Sequence, residues 1–197
     1  MEATPTPKKE DLRRIVHARI AQIPAELQIE QSTRACETFL AQDIYAKSAS
    51  ILLYMPLRGE VDVRLIMERA ISDGKRVALP RYVPETAAYD AYFIGDEALV
   101  PGPFNILEPA MSNPAPLNRL DLIVAPGIAF DLRGRRLGRG KGFYDRLLSK
   151  AAGVKCGICF DEQLLAEIPV EPHDVVLDFI ATPTRWQDCR GSAPELK

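Results

Sequence analysis

The chain has 197 residues, 47% of them hydrophobic and 26% charged, with a formal net charge of −2. These values suit one globular unit of residues 1–197, large enough for a sheet covered by helices, and exclude the broad basic surface by which general nucleic-acid and membrane binders work. No apolar run approaches the ~20 residues of a membrane span and residues 1–7 read as a short flexible lead without an apolar signal core, so a cytoplasmic monomer is expected.

The first element predicted is a helix from Lys8 to Ile23, where Leu12, Ile15, Val16, Ile20 and Ile23 form one stripe and Pro24 stops the chain. A second helix, Ala25 to Gln42, turns Leu27, Ala35, Phe39 and Leu40 inward. Ser50–Met55 is a continuous apolar run closed by Pro56, the pattern of a strand buried on both faces. After the loop Leu57-Arg-Gly-Glu60 comes a helix from Asp62 to Asp73, with Val63, Ile66, Met67 and Ile71 inward and Gly74 as its cap. Strands are expected over Lys75–Leu79, stopped by Pro80, over Tyr89–Ile94 and over Leu120–Ala125. Between the last two lies an irregular segment rich in Pro, Gly and Asn. A helix from Phe143 to Lys150 and strands over Val154–Phe160 and Leu177–Thr182 follow, and 186–197 is a tail of uncertain order.

Strands alternating with helices predict an α/β three-layer sandwich with a mostly parallel central sheet flanked by helices. Ligands of such sheets bind beyond the carboxyl ends of the strands. Three unusual loops fall there, after Met55, Pro80 and Pro126, and are expected to converge.

The segment Arg136-Leu-Gly-Arg-Gly-Lys-Gly-Phe-Tyr-Asp145 carries the chemistry. Glycines at 138, 140 and 142 let backbone N–H groups approach a ligand without interference from Cβ atoms, and successive N–H groups ahead of a helix make an anion-binding concavity. Arg139 and Lys141 add positive charge, and Asp145 supplies a hard oxygen suited to Mg²⁺. The spacing matches neither a Walker loop nor a dinucleotide fingerprint. A polyphosphate site is the reading.

Other motifs carry less. Cys156-x-x-Cys159 lies in an apparent strand, where residues three apart face opposite ways, so both read as packing cysteines. Cys36 and Cys189 are lone residues. His17 and His173 have no partner at ligand spacing and read as structural. Asp161 and Gln163 follow a strand end and are weaker candidates for lining the site. Lys9 and Arg13 lie four apart on one helix face, which by spacing alone is a solvated face among other charges. Glu60 alone reads as an exposed loop carboxylate.

Pro126-Gly-Ile-Ala-Phe-Asp131, Gly134 and the 136–145 segment together resemble the signature of the 5-formyltetrahydrofolate cyclo-ligase (methenyltetrahydrofolate synthetase) family. Lys9-x-x-Leu-Arg13, Met55–Glu60, Leu79-Pro-Arg-Tyr82, Phe104–Pro109 and Asp174–Thr182 extend the resemblance over nearly the whole chain. It implies ATP- and Mg²⁺-dependent closure of 5-formyltetrahydrofolate to 5,10-methenyltetrahydrofolate, with small molecules as the only partners. On this resemblance Lys9, Arg13 and Arg136, Leu137, Gly138, Arg139, Gly140, Lys141, Gly142, Phe143 and Tyr144 bind ATP. Arg139, Lys141 and Asp145 act in catalysis, Asp145 also holding Mg²⁺. Met55, Glu60, Tyr82, Phe104 and Tyr144 take the folate, Glu60 orienting its polar pterin or formyl region.

Two departures stand out: Phe143 occupies the place of a usual first tyrosine, and Arg139 and Lys141 replace the tyrosine and glycine common in many bacterial members. Two other function classes share the phosphate loop, a small-molecule kinase and a non-catalytic nucleotide or RNA binder. The Met55–Glu60 and Tyr82 segments count against the first, and the negative net charge and intact Asp145 against the second.

Overall fold

The computed structural model describes residues 7–103 and 105–191. Helices α1 (Lys9–Ile20), α2 (Ala25–Leu40) and the short α3 (Asp43–Lys47) precede strand β1 (Ser50–Leu52). Then come α4 (Arg64–Ser72), β2 (Arg76–Val83), β3 (Ala88–Phe93) and a small pair, β4 (Val100–Pro101) and β5 (Leu107–Glu108). β6 (Leu122–Ala125), β7 (Ala129–Asp131), β8 (Arg136–Leu137) and α5 (Phe143–Lys150) lead to β9 (Val154–Ile158), β10 (Leu164–Leu165), β11 (Phe179–Ala181) and β12 (Trp186–Asp188).

The central seven-stranded sheet has the order β12-β11-β9-β6-β1-β2-β3. Its five inner strands are parallel, and β3 and β12 run antiparallel at the edges. Alternation along each strand divides the core in two. Ile51 and Leu53, Leu122 and Val124, and Cys156 and Ile158 meet Leu12, Val16, Phe39 and Ile66 of α1, α2 and α4. Leu52, Ile123, Ala125 and Ile180 meet Leu147 and Leu148 of α5 on the other side. The result is a helix–sheet–helix α/β sandwich, as expected. Cys156 and Cys159 fall on opposite faces, and all four cysteines are buried and free.

Register between the first parallel strands is held by one carboxylate. Asp121 accepts hydrogen bonds from the N–H groups of Ala49 (3.0 Å) and Ser50 (2.8 Å) and from the Ser50 hydroxyl (2.9 Å). Burial pushes its carboxyl up, but these bonds outweigh that and hold it below the ordinary aspartate range.

Several expectations are corrected. β2 does not stop at Pro80 but continues to Val83 against β3, with Pro80 opposite Ala91. Its pairing with β1 ends at Leu52 and Ala78, so the N–H that proline lacks has no ladder partner to lose. Ile15, Leu27 and Ile71, placed inward by periodicity, are exposed. The helix stripes they belong to are wider than the strip the sheet covers. Residues 136–137 form a strand, β8, antiparallel to β7, and 186–188 of the tail form the edge strand β12.

Candidate active site

The parallel strands deliver their loops to one end of the sheet, where a cavity of about 480 Å³ opens. Met55, Leu57 and Glu60 line it from the loop after β1, Pro126 and Gly127 from the loop after β6, and every residue from Arg136 to Asp145 from the glycine segment. The expected loops after Met55 and Pro126 do converge, whereas the third contribution comes from the strands of the β2–β3 hairpin, through Pro80 and Tyr89, and not from a loop after Pro80. One buried side chain ties the two loops together. Gln163 donates to the carbonyls of Gly127 (3.1 Å) and Ile128 (3.0 Å), lies 3.5 Å from that of Gly59, and accepts the Phe160 N–H. Gln163 therefore braces the loops from behind and does not line the cavity, and Asp161 is occupied with the hydroxyls of Thr182 and Thr184.

The glycine segment runs from β8 to α5, whose N-cap is Gly142. Gly140 has φ +92°, a backbone state that disfavours side chains, and the Arg13 guanidinium packs beside it. Arg13 also donates from Nε to the Gly138 carbonyl at 2.8 Å. α1 is thus fastened to the phosphate-type loop, and Arg13 is no solvated helix residue.

Charges at this end are paired. Arg136, 3% exposed in its side chain, holds Asp145 Oδ1 at 2.7 Å and donates to the Pro126 carbonyl. Arg139 holds Glu60 Oε1 at 3.0 Å, while Glu60 Oε2 accepts the Leu57 N–H. The Glu60 side chain is 8% exposed, which corrects the reading of an exposed loop carboxylate. Lys9 holds Asp174 at 2.6 Å and Glu171 at 3.4 Å, so it too turns into the cavity. Burial pushes the Asp174 carboxyl up, but Lys9 and the Glu171 N–H outweigh it and keep it below the ordinary range.

The opposite wall is apolar and aromatic. Tyr89 lines the cavity and meets Phe143 edge-on at 5.6 Å. Tyr82, expected to face a ligand, lies beside this pair and contacts both rings edge-on at 5.8 and 5.9 Å; it is not among the lining residues. Tyr144 does line the cavity, and burial, with the Glu60 charge adding to it, pushes its hydroxyl well above the ordinary phenol range. It is a protonated donor at neutral pH. Phe104 lies outside the described residues, but its neighbours Ile106, Leu107 and Glu108 line the cavity.

Several lining residues were not singled out by sequence reasoning. Tyr89 and Glu171 carried no local motif, Glu108 and Asp174 were noticed only as parts of the segments Phe104–Pro109 and Asp174–Thr182, and His173 was read as structural. Its Nε2 is 3.3 Å from Glu171, and the ligand atoms of Glu171, His173 and Asp174 all lie within 4.8 Å of one another. Hard carboxylate oxygens of Asp145 and of this cluster stand on the same cavity as the glycine loop, the donor set a phosphate-bound Mg²⁺ requires.

The 5-formyltetrahydrofolate cyclo-ligase family model matches residues 5–183. The chain is 30% identical over 188 residues to the 5-formyltetrahydrofolate cyclo-ligase of Mus musculus, an alignment covering 86% of this chain and 91% of that one. It is 31% identical over 182 residues to the Escherichia coli K12 enzyme, covering 88% of this chain and all of that one. The solved structure of Aquifex aeolicus 5,10-methenyltetrahydrofolate synthetase superposes with a TM-score of 0.83 at 30% identity, covering 96% of both chains. A Mycoplasma pneumoniae 5,10-methenyltetrahydrofolate synthetase structure has the same fold at a TM-score of 0.72 and 23% identity, covering 90% of this chain and 99% of that one. With a signature segment whose ten residues all line one cavity, and family similarity along almost its whole length, this chain belongs to the 5-formyltetrahydrofolate cyclo-ligase family.

Proposed function

We propose that the protein converts 5-formyltetrahydrofolate to 5,10-methenyltetrahydrofolate, consuming ATP and releasing ADP and phosphate. The observation that carries this reading is the shared cavity: a glycine-rich, basic loop and the Glu60 loop face one space of about 480 Å³, so a polyphosphate and a second substrate can meet there.

A formamide oxygen is a poor leaving group, so it must be activated before the ring can close. The formyl oxygen attacks the γ-phosphorus of ATP, its bond to ADP breaks, and a folate-bound iminium phosphate results. N10 of the folate then attacks that carbon, loses its proton, and the phosphate departs. Such phosphoryl transfer depends on positioning and charge neutralisation.

Lys141 and the backbone N–H groups of residues 138–143 suit the phosphates, and Arg139, held over Glu60 at 3.0 Å, is placed to exchange its carboxylate for them. That exchange frees Glu60 to orient the second substrate, with Tyr144 as a neutral hydroxyl donor. Lys9 and Arg13 close the loop from α1. Asp145 and Asp174 would hold Mg²⁺, which would supply charge neutralisation for the nucleotide phosphates.

Mixing the protein with Mg-ATP and 5-formyltetrahydrofolate and following methenyltetrahydrofolate by absorbance tests the reading. Product should form stoichiometrically with ADP. Absence of product at high enzyme concentration, with verified substrate, would refute it.

A further inference from the structure

The cavity contains one carboxylate unlike the others. Among the described residues, Glu60, Asp145, Glu171 and Asp174 each stand in an ion pair, whereas Glu108 has none. It is nonetheless 2% exposed, and lines the cavity beside Tyr89, Ile106, Leu107 and Pro80. Its carboxyl is held in place: Oε1 accepts the Tyr82 N–H at 3.3 Å, and the group packs on Gly102 so closely that a Cβ there would stand 2.3 Å from Cδ. Arg81, the cation whose charge reaches this carboxyl, donates instead to the Pro109 carbonyl. Burial pushes the Glu108 carboxyl above the ordinary range, against the Tyr82 N–H and the Arg81 charge.

A desolvated carboxylate without an ion-pair partner is costly unless donors arrive to meet it. A phosphate would repel it, so it belongs to the other substrate. The pteridine of a reduced folate carries two parallel donors on one edge, the ring N3–H and the 2-amino group. Two carboxylate oxygens accept such a pair as a fork. We infer that Glu108 is the specificity-determining residue for the 2-amino-4-oxopteridine edge, gripping N3–H and the 2-amino group from the part of the cavity lined by Tyr89, Ile106 and Leu107. This rests on the folate reading of the site and adds to it the group that recognises the ring. Glu108 takes no part in bond making.

Wild type and Glu108→Gln are to be compared by calorimetric binding of 5-formyltetrahydrofolate and of its 2-desamino analogue, alongside apparent KM values. Glutamine keeps the shape but turns one acceptor into a donor facing a donor. The variant should bind the folate about 10- to 100-fold more weakly, with the KM for ATP unchanged. Wild type should discriminate against the analogue by a similar factor, and most of that discrimination should vanish in the variant. Folate binding within twofold of wild type, an equal loss for ATP, or full discrimination persisting in the variant would each overturn the assignment. A wild type that turns over 5-formyltetrahydrofolate normally but ignores loss of the 2-amino group overturns this inference alone. One that neither binds nor converts the folate overturns it together with its parent reading.

Discussion

The two ends of the cavity are built on opposite electrostatic principles. Around the glycine loop, Arg136–Asp145, Arg139–Glu60 and Lys9–Asp174 are all ion-paired. Beside Tyr89, Ile106 and Leu107, Glu108 is buried and, among the described residues, stands in no ion pair. The first arrangement suits a ligand that arrives with many charges and can exchange with pairs already solvating one another. The second suits a flat ring with few donors, where affinity comes from desolvation and fit. A binding site for two unlike substrates need not be polar throughout; it can hold its charges in reserve at one end and withhold water at the other.

The strongest way to break this contrast is Arg136→Ala. It leaves Asp145 partly buried without its cation, and kcat should fall about 100-fold or more, with a stability loss of about 3 kcal/mol, while folate binding persists. Single-turnover rates and thermal unfolding measure both arms, and a loss confined to folate affinity would contradict the division. Next in size is Gly140→Ala. Its φ of +92° imposes backbone strain, and the added methyl presses on Arg13. The KM for ATP should rise about tenfold, with folate affinity unchanged in equilibrium binding.

Glu60→Gln tests the junction between the ends. Releasing Arg139 should leave or improve ATP affinity and weaken folate affinity about five- to tenfold; weakened ATP binding would show that the pair positions Arg139. The smallest functional effect is expected from Asp121→Asn, far from the cavity. It should cost about 1–2 kcal/mol at pH 7 without changing kcat. Because the Asp121 carboxyl sits below its ordinary value in the fold, its stabilisation is present above the unfolded aspartate range of about 3.9 and fades as pH drops through the lower folded value. The difference in Tm between variant and wild type should therefore shrink in acid. A constant difference from pH 7 down to strong acid would refute this account.

The local part of the site was readable before the structure. Residues 136–145 are contiguous, and their chemistry follows from glycine spacing and charge alone. The strand-end loops after Met55 and Pro126 were likewise legible, because a proline closes each buried apolar run, but Pro80 misled because it sits inside β2 at a position whose N–H no neighbouring strand needs. What escaped is what depends on distant neighbours. Tyr82 and Tyr89 pair across the β2–β3 hairpin, and only their packing decides that Tyr89 takes the cavity. Glu108 lay in the resembling segment Phe104–Pro109 but was given no role, since a lone glutamate reads as solvated until the backbone folds over it. Lys9 and Arg13 looked like a wet helix face because spacing cannot report where that face docks. Ile15, Leu27 and Ile71 failed for a related reason: periodicity finds the apolar stripe but not how much of it the sheet covers.

Lys9 and Asp174 are 165 residues apart, yet they meet at 2.6 Å on the rim of the cavity. The helix that fastens the glycine loop is thus synthesised well before its acidic partner. Contacts of such separation form late, after the intervening chain has condensed. During synthesis α1 can already dock through Leu12, Val16 and Arg13, but Lys9 has no acidic partner here until Asp174 has emerged. The tie on the cavity rim is therefore a late event: a nascent chain can own much of its sheet, a core and the glycine loop, and still lack this ion pair.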